Sequence, residues 1–107
     1  MILKGYNSTK VPVPLKVQNL VIRDYCERNK HTLFLPNTEF IMDGTYMILK
    51  DFATIKDCDG IVAYSMFAAP RELWLALGKE VHFALEGYVL PRDREMCDMV
   101  WKVMCAS

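Results

Sequence analysis

The chain has 107 residues, 52% of them hydrophobic, and its 13 basic residues balance 13 acidic ones to give zero formal net charge. This length fits a single domain, residues 1–107, with one core of ordinary size. Zero net charge argues against the broad positive potential of nucleic-acid binders and of polybasic membrane binders. The amino terminus, Met-Ile-Leu-Lys, lacks a long apolar run, so we expect no signal peptide, no membrane span and a cytoplasmic protein.

The first third of the chain predicts a strand, a helix and a second strand. Ile2 to Tyr6 is the first strand, and Asn7 to Thr9 form a polar turn. The helix spans Leu15 to Asn29 and the second strand His31 to Leu35. The residues expected on the inner face of the helix are Val17, Leu20, Val21 and Tyr25, and those expected in solvent are Gln18, Arg23, Asp24, Glu27 and Arg28.

The middle of the chain predicts a loop, a helix and the central strand. Pro36 to Thr45 is rich in turn formers and predicts a loop of the kind that often carries function. A helix follows from Tyr46 to Lys56, and Asp57 to Gly60 is the turn after it. Ile61 to Ser65 is a short apolar run, typical of a strand buried on both faces at the centre of a parallel sheet. The buried set of the second helix is predicted to be Ile48, Leu49, Phe52 and Ile55.

The last third predicts two helices and a strand. Arg71 to Gly78 is a short helix with Pro70 at its start, and Glu80 to Leu85 is the fourth strand. Glu86 and Gly87 close that strand, and the last helix follows Pro91. The order βαβαβαβα predicts an α/β fold, a three-layer sandwich with a four-stranded parallel sheet in the order 2-1-3-4.

The last helix carries two apolar stripes. The stripe expected to face the sheet consists of Met96, Met99, Val100, Val103 and Met104, and the adjacent one of Cys97, Trp101 and Cys105. The second stripe predicts a partner surface, most simply in a homo-oligomer or on a pathway enzyme, unless loops of the same domain cover it. The candidate interface residues are Cys97, Trp101 and Met104.

Polar side chains follow three of the four strands. Because the carboxyl ends of parallel strands share one edge, we expect them to line a crevice for a polar small molecule. The candidate ligand-binding residues are Tyr6, Asn7, Ser8, Tyr64, Ser65 and Glu86, with Asn37, Thr38 and Glu39 able to close over them. Roles without a ligand stay open for three residues. Ser8 could form the turn, Tyr64 could pack in the core, and His82 could be a surface histidine or one whose ring is hydrogen-bonded within the protein.

The sequence offers no nucleophilic side chain with a general base beside it, so catalytic residues stay unknown and enzymatic activity is left open. No two of the four cysteines have Cys-x-x-Cys spacing, and His31 and His82 are far apart in sequence. We therefore expect free thiols, no metal and no cofactor.

Several stretches resemble the sporadic carbohydrate cluster proteins, a small bacterial family encoded among genes for surface polysaccharide and lipopolysaccharide sugars. The resemblance rests on Gly5-Tyr6, Val17 to Cys26, Asp59 to Phe67 and His82 to Gly87. It implies a pathway setting and no particular reaction. Together with the polar side chains at the strand ends, this setting makes a sugar or nucleotide sugar the expected ligand.

A more distant resemblance is to the catalytic domain of serine recombinases, the resolvase group. Gly5-Tyr-Asn-Ser-Thr9 is similar to that domain's first strand, with Ser8 at the position of its nucleophile. Where the family has an acid and two arginines, this chain has Met66 to Pro70. Without guanidinium groups to neutralise a phosphate, the resemblance implies the fold and not the recombinase activity.

Three hypotheses follow. The first is an accessory protein or small enzyme of bacterial surface carbohydrate biosynthesis that binds a polar sugar metabolite. The second is a non-catalytic interaction module that docks through the last helix. The third, and least favoured, is a degenerate resolvase-like protein that still binds DNA.

Overall fold

A five-stranded sheet forms the centre of the computed structural model, which describes residues 1–41 and 44–106. The strands are β1 (Ile2–Ser8), β2 (Thr32–Glu39), β3 (Gly60–Ala63), β4 (Glu80–Phe83) and β5 (Tyr88–Leu90). The helices are α1 (Leu15–Arg28), α2 (Met47–Asp51), α3 (Arg71–Ala76) and α4 (Arg94–Ala106), and short 3-10 turns at Phe52–Thr54 and Met66–Ala68 follow α2 and β3. No helix within the described ranges is both long and apolar enough to cross a membrane.

The predicted α/β architecture and strand order are confirmed, with one strand added. The sheet runs β2-β1-β3-β4-β5, and its first four strands are parallel. β5 pairs antiparallel with β4 and was not predicted. β4 ends at Phe83 rather than Leu85 because the chain turns there, with Gly87 N–H donating to Phe83 O at 2.8 Å and Gly87 at φ 76°.

The central position of β3 is confirmed. Every residue from Gly60 to Ala63 is buried, and the side chains of Ile61, Val62 and Ala63 are fully so. The strand pairs with β1 on one side and β4 on the other, so both its edges and both its faces are covered. An apolar run without alternation is what such a position requires.

β2 is longer than predicted and carries a bulge. The predicted loop Pro36–Thr45 is wrong for its first four residues, since β2 continues to Glu39; Met42 and Asp43 of that loop lie outside the described residues. Pairing shifts from Lys4↔Phe34 to Tyr6↔Asn37, so β2 has one extra residue there. Lys4 Nζ donates to the carbonyl of Leu35 at 2.7 Å, which provides a partner for that bulged backbone oxygen.

The face that α1 turns inward differs from the predicted one. Gln18 and Ile22 are fully buried, whereas Val17 is 41% and Leu20 58% exposed. The prediction that Gln18 lies in solvent is therefore wrong. Its amide is hydrogen-bonded to the backbone of Ser8 at the end of β1 and to the carbonyl of Val13, and a satisfied amide can occupy a core position without the cost of an unpaired polar group.

The second helix is shorter than the predicted span Tyr46–Lys56. α2 ends at Asp51 and passes into the 3-10 turn. Of its predicted buried set, Leu49 and Phe52 are buried, and Ile48 and Ile55 pack on the core with part of their surface exposed.

The two stripes of α4 are rotated relative to the prediction. Cys97 and Met104 are buried at 4% and 6% exposure and Trp101 is half-buried, whereas Met96, Met99 and Val103 are exposed. The exposed position predicted for Cys97 is therefore wrong. The burial of Met104 agrees with its place in the stripe predicted to face the sheet and contradicts its place among the candidate interface residues. The start of the helix fixes this rotation, because Asp93 Oδ1 accepts from Glu95 N–H at 2.9 Å and Cys97 Sγ contacts the carbonyl of Pro91.

The bulge in β2 makes Gly5 a structural requirement. A Cβ at Gly5 would lie 2.9 Å from both Cβ and Cγ of Pro36, so Gly5→Ala forces the two strands apart locally. We expect a loss of about 1–3 kcal/mol in the free energy of unfolding, measured by urea denaturation. In the double variant with Pro36→Gly the loss should be smaller than the sum of the two single losses. Additive losses would contradict this close approach.

Candidate functional site

Ser8 is a buried structural residue at the end of β1. Its backbone N–H donates to Gln18 Oε1 at 3.2 Å, and Gln18 Nε2 donates to the carbonyls of Ser8 at 3.0 Å and Val13 at 2.9 Å. The hydroxyl oxygen of Ser8 accepts from Lys10 N–H at 3.1 Å. With 0% exposure and this local bond, Ser8 occupies the turn-forming role that was the alternative to a nucleophile.

Tyr6 belongs to a second buried network, on the side of the sheet where α2 and α3 pack. Its ring packs edge to face against Phe52 and Trp74, at centroid distances of 5.8 and 6.0 Å. Its hydroxyl donates to Glu39 Oε1 at 3.1 Å. Burial, together with the adjacent Glu39 carboxylate, raises the pKa of Tyr6 far above its ordinary value, so this hydroxyl stays protonated.

Glu39 connects that network to the start of α2. Its carboxylate accepts from the backbone N–H of Ile48 at 3.0 Å and of Leu49 at 3.1 Å, in addition to the Tyr6 hydroxyl. These N–H groups have no partner within the helix, and a carboxylate stabilises that end of a helix. Glu39 is 5% exposed, so it holds α2 in place and does not close over a crevice as predicted.

Asn7 points to the other side of the sheet and contacts α1. Its Nδ2 donates to Asn19 Oδ1, and the residue is 1% exposed. Within the described part of the chain its Oδ1 is buried and has no hydrogen-bond partner. Since adjacent residues of a strand point to opposite faces, Asn7 and Tyr6 cannot line the same crevice.

The ends of β3 and β4 bring Ser65 and Glu86 together. Ser65 Oγ donates to Glu86 Oε2 at 2.7 Å, and Met66 N–H donates to Glu86 Oε1 at 2.9 Å. Ser65 Oγ also accepts from Phe67 N–H at 3.2 Å and caps the 3-10 turn. Glu86 is half-buried, and the side chains next to these two residues, Phe67 and Leu85, are 72% and 55% exposed.

The six predicted ligand residues therefore do not form one set. The structure brings Ser65 and Glu86 into contact and places Tyr64 beside them along the chain, at 7% exposure. Tyr6, Asn7 and Ser8 are each bonded to a separate partner, on Glu39, Asn19 and Gln18 respectively.

Sequence reasoning missed Gln18 and Asn19 as partners of the first strand's end. Gln18 stands four residues before Ile22, in the row that continues to Tyr25 and Cys26, and that row is the buried one. The i, i+4 spacing of these residues was the available signal. It was hidden because Val17, Leu20 and Val21 form a more apolar row beside it.

The chain's two histidines lie together on the α1 side of the sheet. The rings of His31 and His82 are 5.2 Å apart, His82 Nδ1 is hydrogen-bonded to the Tyr25 hydroxyl at 2.6 Å, and the Met1 ammonium is 3.3 Å from His31 Nδ1. Burial, the neighbouring His31 and the amino terminus lower the pKa of His82 to about 4. A Glu80 carboxylate oxygen lies 3.5 Å from His82 Nε2. His82 is thus buried with Nδ1 hydrogen-bonded, and within the described residues its Nε2 has no hydrogen-bond partner, so the satisfied-histidine alternative holds for one of its two ring nitrogens.

Two surface cavities lie away from the predicted site. One of about 270 Å³ opens between α1 and β2 and includes Arg23, Cys26 and His31. The other, of about 510 Å³, lies between α3 and α4 and includes Arg71, Arg94 and Asp98. Across residues 1–41 and 44–106, no three His, Cys, Asp or Glu side chains are grouped so as to hold a metal ion.

The topology, with strand order β2-β1-β3-β4-β5 and four parallel strands, defines a mostly parallel α/β domain. The N-terminal catalytic domain of TP901-1 integrase has a similar fold, with a TM-score of 0.69 at 12% sequence identity over 99% of this chain and 92% of that one. No protein-family model and no curated protein sequence matches the chain. The expected resolvase-like fold is thus confirmed, and at this identity the likeness concerns the fold alone.

Burial of neutral His82 predicts acid sensitivity. The unfolded chain binds a proton at His82 below pH 6.5 and the folded chain only below about pH 4, so stability falls as the pH drops through that window. This group accounts for a loss of up to about 3 kcal/mol. Urea denaturation at pH 7 and pH 4.5 should show a smaller pH dependence for His82→Gln than for the wild type. Equal pH dependence in the two proteins would contradict a buried neutral imidazole.

Proposed function

We propose that this chain is an accessory binding protein of bacterial surface carbohydrate biosynthesis that recognises a sugar or nucleotide sugar beside Glu86. The observation that carries the proposal is the pairing of Ser65 and Glu86 next to exposed Phe67. Support for the pathway comes from the sequence resemblance to sporadic carbohydrate cluster proteins.

The Glu86 carboxylate is suited to accept hydrogen bonds from a sugar. Its two oxygens are fixed by Ser65 Oγ and Met66 N–H, and each oxygen keeps a further lone pair because a carboxylate accepts about four bonds. An oriented acceptor loses little conformational entropy when a hydroxyl binds to it. We include Tyr64, which precedes Ser65 in the chain, in the proposed site as a candidate hydroxyl.

The surface next to this carboxylate is apolar. Phe67, two residues after Ser65, and Leu85, directly before Glu86, are both largely exposed. Binding sites for small molecules combine aromatic and aliphatic side chains with a few fixed polar groups, and the carbon-bound hydrogens of a sugar ring pack on an aromatic face.

Phosphoryl transfer is not part of the proposal. Ser8 is buried, and the segment that replaces the recombinase arginines has no cationic side chain and is held by its backbone, with Trp74 Nε1 donating to the carbonyls of Met66 at 3.0 Å and Ala69 at 3.1 Å. A neutral chain also lacks the charge to bind a DNA backbone strongly.

A thermal-shift screen of nucleotide sugars, sugar phosphates and free sugars tests the proposal. A compound at 100 times its Kd should stabilise the folded state by about 2.7 kcal/mol and raise the Tm by several degrees. Phe67→Ala and Tyr64→Phe should reduce the shift, and Glu86→Gln should reduce it most.

The matched control is Phe40→Ala, which removes an exposed phenylalanine that follows β2 and lies outside the proposed site. The control should keep the ligand-induced shift of the wild type. If no compound shifts the Tm, sugar recognition is wrong. A DNA gel shift at low salt would instead favour the degenerate-recombinase hypothesis.

A second candidate function is docking on a pathway enzyme through the last helix. It is favoured by the exposed residues Met96, Met99 and Val103 rather than by the originally predicted Cys97, Trp101 and Met104. Met99→Glu should then disperse a complex purified from the native host without changing the circular dichroism spectrum of the domain.

A further inference from the structure

α4 presents an apolar face to solvent. Met96, Met99 and Val103 are 56%, 67% and 64% exposed, and their spacing of three and four residues places them on one side of the helix. The face extends about 10 Å along the helix axis, because each residue adds about 1.5 Å. We refer to these three residues as the α4 face.

Opposite charges stand at the two ends of this face. Glu95 and Lys102 are seven residues apart, so both lie on the same flank of the α4 face, two turns from each other. Glu95 is exposed, and the Lys102 side chain is 73% exposed. The acidic group between them, Asp98, is directed to Arg71 of α3 and also lies 3.5 Å from Lys102.

This arrangement is complementary to itself in one orientation. When two α4 helices pack antiparallel with Met99 near the centre, Glu95 of each copy lies within two residues, about 3 Å along the axis, of the level of Lys102 of the other. In a parallel pair the equivalent flanks of the two helices lie on opposite sides of the contact, so Glu95 and Lys102 of one copy would not face those of the other. Charge therefore favours an antiparallel, two-fold arrangement of identical chains.

We propose that the chain forms a homodimer in which the α4 faces of two copies pack antiparallel, with Glu95 of each copy paired with Lys102 of the other. The exposed methionines adapt their shape readily to an opposing surface, which suits a contact between helices. One pair of helices buries a small area, so the dimer should be weak and its population should depend on protein concentration in the micromolar range.

The proposal is tested by measuring the dimer dissociation constants of charge-reversal variants by sedimentation equilibrium. Glu95→Lys and Lys102→Glu each place like charges opposite one another at both ends of the dimer, and each should raise the dissociation constant by about tenfold. An equimolar mixture of the two variants should associate as tightly as the wild type, because both cross-pairs are then opposite in sign. The effect should shrink in 1 M NaCl.

Mixing the two variants distinguishes a loss of contact between the copies from a loss of stability within each chain. Each substitution can weaken α4 itself, since Glu95 lies in the first turn and Lys102 beside Asp98, but mixing cannot repair the stability of either chain. Met99→Lys should abolish association, and Leu20→Lys, a matched change at an exposed residue of α1, should leave it unchanged.

The proposal is overturned if the wild type stays monomeric at several hundred micromolar. It is equally overturned if it dimerises but the mixed variants associate no better than each variant alone, because the contact then lies elsewhere or in another orientation. Association that Leu20→Lys weakens as strongly as Met99→Lys would assign the interface to α1.

Discussion

The fold depends on satisfying the polar groups that are buried where its strands end. The Gln18 amide bonds the end of β1, the Glu39 carboxylate bonds the start of α2, and Glu86 bonds Ser65 and the turn after β3. Each bond joins a strand end to the element that packs against it. Because a buried group without a partner costs about 1–3 kcal/mol, these side chains determine how α1 and α2 sit on the sheet.

This constraint also separates the fold from any particular chemistry. Apolar strands and right-handed crossovers are sufficient for the topology, and many sequences provide them. Phosphoryl transfer needs cationic groups around a reachable nucleophile. Here Ser8 is buried, and the segment after β3 is an apolar turn whose carbonyls accept from Trp74. The polar side chains at the carboxyl edge of the sheet, where a catalytic site would be expected, therefore mostly form hydrogen bonds within the protein.

The sequence predicted the parts of the fold that depend on apolar patterns. The run Ile61–Ala63 located the central strand, and the alternation of strands and helices determined the order of the first four strands. The rotation of α1 was not predictable from hydrophobicity, because its buried row contains Gln18 and its exposed row contains Leu20. The candidate site was predicted only at Ser65 and Glu86, since a strand-end position gives proximity but not which face a side chain takes or which partner it bonds.

α4 illustrates how a local contact decides between two apolar stripes. Either stripe could cover the sheet, but Asp93 caps the first turn and Cys97 contacts the Pro91 carbonyl, and together they fix the rotation of the helix. Cys97 and Met104 are then buried, and Met96, Met99 and Val103 stay outside. An apolar face alone would accept almost any apolar partner. Glu95 and Lys102 at opposite ends of one flank add attraction in the antiparallel orientation alone, which is how charges make a hydrophobic contact specific.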